Sequence, residues 1–168
     1  MTEPRKFAEG TEVPVERTKS EIEKLLRAHG ATGFVMGWDG QQGLNIFQCR
    51  IHERMIKFEI RDPDPEKYKK DARGFLRSKD TITRFVEAER RRQWRGRLLI
   101  TKAKLEMIAA GDSTFEREFL YDIMLPDGST AGQWMVPQIN HAYTTGQAPR
   151  LLLGAVEERP QIRRKPST

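Results

Sequence analysis

Cysteine is nearly missing from this chain. Cys49 is the only one in 168 residues, so no disulfide can form within it. Packing, hydrogen bonds and ion pairs must hold the fold, and a reducing, intracellular setting is expected. Histidine is scarce as well. His29, His52 and His141 lie far apart, and with one cysteine they offer no zinc-binding spacing. No metal is expected. No G-x-G-x-x-G or Walker-type loop occurs, so a nucleotide cofactor has no support and none is expected. Long apolar runs are missing too. The run Leu151 to Val156 falls far short of the roughly 20 residues that span a membrane. The first ten residues lack the apolar stretch of a secretion signal. A cytoplasmic protein with no membrane partner is the expectation.

Charge is what the chain has in quantity. Its net charge is +6, from 30 basic and 24 acidic residues. Residues 84–104 hold eight basic side chains and two acids, Glu87 and Glu89. That local excess equals the excess of the whole chain, and clustering of this kind suits a nucleic acid or an acidic partner. The simpler reading is a solvated helix end balanced by its own glutamates.

Periodicity predicts one α+β domain over 17–146, after a loose lead-in at 1–16 and before a basic, mostly disordered tail at 147–168. A short helix over about 18–29 opens on Thr18-Lys19-Ser20-Glu21, a capping-box pattern, and stops at Gly30. Phe34, Met36 and Trp38 then alternate. Leu44 to Ile51 is rich in strand formers, and Ile56, Phe58 and Ile60 alternate with Lys57, Glu59 and Arg61. Short links make these three strands an antiparallel meander. Residues 62–80 read as a long, exposed, partly mobile basic loop.

A long helix comes next, over about 81–110. Trp94, Leu98, Thr101, Leu105 and Ile108 share one stripe; Leu99, Ile100, Ala103, Met107 and Ala110 lie roughly opposite. Two apolar sides imply a helix sandwiched between the sheet and C-terminal helices. Arg90, Arg97 and Lys104 occupy one flank, and Arg91, Arg95 and Lys102 the other. The C-terminal helices are marked by Phe115, Phe119, Leu120 and Ile123, and then by a capping box at Thr130–Gln133 ahead of Trp134, Met135, Ile139 and Tyr143. Trp38, Trp94 and Trp134 all sit at apolar-stripe positions and read as core anchors.

The candidate chemistry is electrostatic. Arg90, Arg91, Arg92 and Arg95 at the start of the long helix would meet phosphates, joined by Lys69 and Lys70 from the loop and Lys57 and Arg61 from the sheet face. This points to a non-enzymatic nucleic-acid-binding protein, on DNA or RNA, with little sequence preference. The alternative is a protein-interaction module or inhibitor acting on another protein, since arginines also suit carboxylates. Two further patterns are weaker. Lys69-Lys70-Asp71-Ala72-Arg73 after a helix and three strands resembles a double-stranded-RNA-binding domain, but Asp39–Gly43 lacks that family's proline-histidine loop. Glu59-Ile60-Arg61 stands where a PD-(D/E)xK nuclease carries its acid-x-lysine, with Asp39 as the nearby carboxylate. Arginine cannot easily give up a proton, so that pattern implies a degenerate nuclease.

Several stretches together resemble an uncharacterised family encoded by phages and prophages. They include Val15-Glu16-Arg17-Thr18, Gly30-Ala31-Thr32-Gly33-Phe34, Gly37-Trp38, Trp94-Arg95, Lys102-Ala103-Lys104-Leu105-Glu106, Thr114 to Leu120, Leu125-Pro126-Asp127-Gly128 and Pro137-Gln138-Ile139. The resemblance implies a small accessory protein of a mobile element that acts on nucleic acid or on a host or phage protein.

Overall fold

The computed structural model describes residues 6–147; the tail expected at 147–168 lies outside them apart from Gln147. In chain order the elements are α1 (Val15–Ala28), β1 (Thr32–Asp39), β2 (Leu44–Ile51), β3 (Arg54–Arg61), a 3-10 turn (Pro65–Tyr68), α2 (Lys79–Ala109), α3 (Phe115–Phe119), a second 3-10 turn (Leu120–Asp122) and α4 (Ala131–Thr145). The three strands form an antiparallel sheet in the order β1-β2-β3. This is the α+β architecture that the periodicity predicts.

The core forms where one face of the sheet meets α1, α2 and α3. Phe47 of β2 lies opposite Met36 and Phe58, and Cys49 lies opposite Phe34 and Ile56. Ile22 and Leu26 of α1, Trp94 and Leu105 of α2, and Phe119 of α3 complete the cluster. Phe58 is central to it: its ring is 5.9 Å from Phe47 and 6.3 Å from Phe119. Each fully buried side chain of this size contributes roughly 1.5–3 kcal/mol. Beyond the strands, Ile123 bridges Ile56, and the Met124 N–H donates to the Met55 carbonyl at 2.7 Å. The C-terminal segment is thereby fastened to the outer edge of β3.

Both C-terminal helices are capped, the second as the sequence predicts. Thr114 accepts from the Arg117 N–H, and Thr130 and Gln133 form a reciprocal capping box. The Thr18 capping box does not form. The first helix begins at Val15, because Pro14 (φ −59) needs no N–H partner and already has a helix-compatible φ. Thr18 is then inside the helix and fully buried, with its hydroxyl directed at the Pro14 carbonyl.

Other expectations need correction. Trp94 is buried, but Trp38 and Trp134 are 69% and 47% exposed. Trp38 lies on an edge strand, where its indole rests against Gly40 and its Nε1 donates to Asp62. The basic loop carries local structure of its own. Asp71 accepts from the Arg73 and Phe75 N–H groups, Lys70 bridges Leu76, and the Arg77 guanidinium donates to the Tyr68 and Lys70 carbonyls. Tyr68 stacks on Phe85, 5.9 Å away, and so fastens this hairpin to the start of α2.

The largest correction concerns α2. Its first stripe is buried or half-buried as expected, but Leu99, Ile100 and Met107 are 47%, 50% and 45% exposed. Among the described residues no helix covers that side. α3 packs on the core side of α2, through Phe119 beneath Lys104, and α4 leaves from the edge of β3.

The β2–β3 turn places His52 and Glu53 both at positive φ (46° and 61°), a conformation that favours Asn-Gly. Glu53→Gly is therefore expected to raise stability by about 0.5–1 kcal/mol, measured by urea unfolding.

Candidate functional site

The eight basic residues picked out as phosphate contacts fall into three groups. Four belong to the first half of α2, and each guanidinium is already engaged. Arg90 donates to Asp62 at 2.9 Å, and Arg91 to the Thr11 carbonyl at 3.0 Å. Arg92 grips Glu89 through two bonds, 2.8 and 2.6 Å. Arg95 reaches across to Glu21 of α1 at 2.6 Å. These charge-assisted bonds join α2 to the β3 exit, to the N-terminal segment and to α1. The hydrogen bond from Arg95 holds the Glu21 carboxyl below its ordinary pKa, and that from Arg92 does the same for Glu89.

The second group is the hairpin after β3. Lys69 pairs with Glu66 at 2.6 Å, both half-exposed, a geometry of small energetic value. Among the described residues Lys70 and Arg73 make no ion pair, and Phe75 and Leu76 beside them are 69% and 77% exposed.

The third group is in a cleft of about 190 Å³ between β3 and the start of α4, lined by Lys57, Glu59, Arg61, Arg97, Asp122 and Gln133 among others. Lys57 bonds Glu59 at 2.8 Å, and Glu59 also accepts from Gln133. Arg61 makes no ion pair among the described residues. Asp122, its side chain 7% exposed, is bonded by Lys104 at 3.1 Å and approached by Arg97 at 4.0 Å. Arg97 also stacks over the ring of Phe58. The sequence places Arg90, Arg97 and Lys104 on one flank of the helix, and that flank is real. What it hides is the partner: Asp122 sits in an apolar run, Phe119 to Met124, with nothing nearby in sequence to mark it as an acceptor.

The two carboxylates of the nuclease pattern are engaged within the fold. Glu59 is bonded to Lys57 and Gln133, while Asp39 is turned to the N–H groups of Gln41 and Gln42. Among the described residues no three His, Cys, Asp or Glu side chains are grouped to hold a metal ion. Burial pushes the Cys49 thiol up to about 12, so it is neutral and unreactive at ordinary pH. Among the described residues no helix is long and apolar enough to cross a membrane.

Glu21→Gln is expected to lower stability by about 0.5–1 kcal/mol at pH 7, a value reduced for the partial exposure of the pair. Its carboxylate is favoured in the folded state, so the stabilisation is complete above the ordinary value of 4.5 and is lost as pH falls through the depressed one. Urea unfolding of both proteins should therefore converge at strongly acid pH. No protein-family model, curated protein or solved structure matches the chain.

Proposed function

We propose that this protein is a non-enzymatic, phage-type accessory protein that works inside the host cell by docking on another protein. The observation that carries this reading is α4. In a chain that is 32% charged, its fifteen residues include no Asp, Glu, Lys or Arg. Val136, Ile139 and Tyr143 are 40%, 40% and 89% exposed on one side, and Trp134 is half-exposed on another. The helix is anchored chiefly at its beginning, on the turn Leu120–Asp122 and the edge of β3. Gly132 marks the anchor, since a Cβ there would run into the Tyr121 ring. An uncharged, aromatic-bearing helix held at one end suits a partner with an apolar groove, which α4 would enter by its exposed side. The α2 arginines, already bonded internally, argue against phosphate as their main ligand.

The second reading, binding to DNA or RNA, is favoured by the hairpin at 65–77. Lys70 and Arg73, without an ion pair among the described residues, lie beside exposed Phe75 and combine charge for a phosphate backbone with a stacking ring.

One experiment separates the two: capture of partners from lysogenic cells by the full chain, with and without nuclease. The docking reading expects a stoichiometric protein complex that survives nuclease and weakens at least tenfold in Tyr143→Asp or Ile139→Asp, with helical content unchanged. Recovery of nucleic acid alone, lost in Lys70→Glu/Arg73→Glu and falling steeply between 50 and 200 mM salt, would reverse the order of the two readings.

The anchor makes its own prediction. Gly132→Ala is expected to destabilise by roughly 1–2 kcal/mol despite alanine's higher helix propensity, because the Tyr121 ring must move. Thermal unfolding, with near-ultraviolet circular dichroism to track the tyrosine, checks it.

A further inference from the structure

One side of α2 is turned to the core and, among the described residues, the opposite side is bare. On the bare side Gly96, Ile100, Ala103, Met107 and Ala110 recur at intervals of four and three residues, the spacing of a coiled-coil seam. Ile100 and Met107 are half-exposed, as is Leu99 beside them; Ala103 and Ala110 are exposed. Size alternates along the seam, with glycine or alanine between the large side chains. Gly96 has no reason within the monomer. A Cβ built there meets nothing within 4 Å, and glycine inside a helix costs about 1 kcal/mol relative to alanine. A groove of about 330 Å³ runs alongside, lined by Ile60, Arg61, Gln93, Gly96 and Ile100 among others.

We propose that this seam takes a second copy of the same chain, packed antiparallel about a twofold axis near Thr101 and Lys102. In that pairing Ile100 of one copy lies over Ala103 of the other, and Met107 lies over Gly96. The twofold axis repeats both contacts in reverse. Every layer then sets a large side chain into the hole above a small one, which is what an isologous contact requires. A parallel pair would stack Ile100 on Ile100 and Gly96 on Gly96, crowding one layer and leaving a void in another. This self-match singles out a copy of this chain over a foreign helix. Arg97 and Lys104 edge the seam, and Asp122 lies against both, which limits their repulsion across the axis.

Area sets the strength of the pair. The seam and its flanks offer on the order of 400 Å² per copy, about half of what a stable interface buries. The dimer is therefore weak, with a dissociation constant of tens to hundreds of micromolar, on the order of 5–7 kcal/mol of association. It uses a surface separate from α4 and does not depend on the partner proposed for that helix.

Sedimentation velocity of the full chain from about 5 to 500 µM is expected to show monomer passing into dimer. Gly96→Lys fills the hole with a better helix former that faces open space in the monomer. It should leave the melting temperature equal or higher while raising the dissociation constant at least tenfold, about 1.4 kcal/mol. With Cys49 buried, Ala103→Cys should be captured as a dimer by a short bismaleimide. Ala110→Cys should not, since its counterpart would lie roughly 25 Å away. A monomer at every concentration, a dimer indifferent to Gly96→Lys, or capture at 110 and not at 103 would each overturn the proposal.

Discussion

Asp62 holds the molecule's layers in register. It comes directly after the last residue of β3, and its carboxylate accepts from Trp38 of β1, Asn45 of β2 and Arg90 of α2. Its own N–H donates to the Gly43 carbonyl in the β1–β2 turn. One side chain thus gathers the end of all three strands and pins them to the long helix. Sheets and helices pack through non-directional apolar contact, which leaves sliding along the helix axis cheap. A carboxylate with three donors from three elements removes that freedom. Arg95 with Glu21, and Lys104 with Asp122, repeat the device for α1 and for the C-terminal segment.

Those fastenings explain why the basic character of α2 misleads when read from sequence. The two flanks of Arg and Lys are visible at once from the 100° turn of a helix. Arg92 finds its acid three residues away, but Arg90, Arg95 and Lys104 meet acids 18 to 74 residues away and Arg91 a carbonyl 80 residues away, and no local pattern reveals those. The strands, the long helix and the two C-terminal caps are legible because each rests on short-range spacing. The start of α1 is not, because Thr18 fits a cap and a buried helix face equally well; the burial of its methyl group and Pro14 decide between them. Nor can the sequence tell that Trp38 lies on an edge strand and stays largely exposed.

The sandwich expected around α2 fails for a reason of size. At 31 residues α2 is roughly 46 Å long, while strands of eight residues reach only about 26 Å. The sheet can cover one side of part of the helix. After α2 the described residues supply a five-residue helix, which packs on the side already covered, and α4, which leaves from the edge of β3. The second apolar side of α2 is therefore present, as its periodicity predicts, but has no cover among the described residues. The same imbalance leaves α4 unpartnered on its aromatic side. Among the described residues one small domain thus shows two uncovered apolar faces.

Cys49 lies in the central strand, fully buried and paired on both sides. No other thiol exists to compete with it. The chain therefore carries a built-in event counter. A dissolved electrophile can reach the sulfur only when the helices lift from the sheet face that carries Cys49, so the speed of labelling under native conditions measures how often the core opens. That makes any ligand's grip on the fold readable without knowing where the ligand sits.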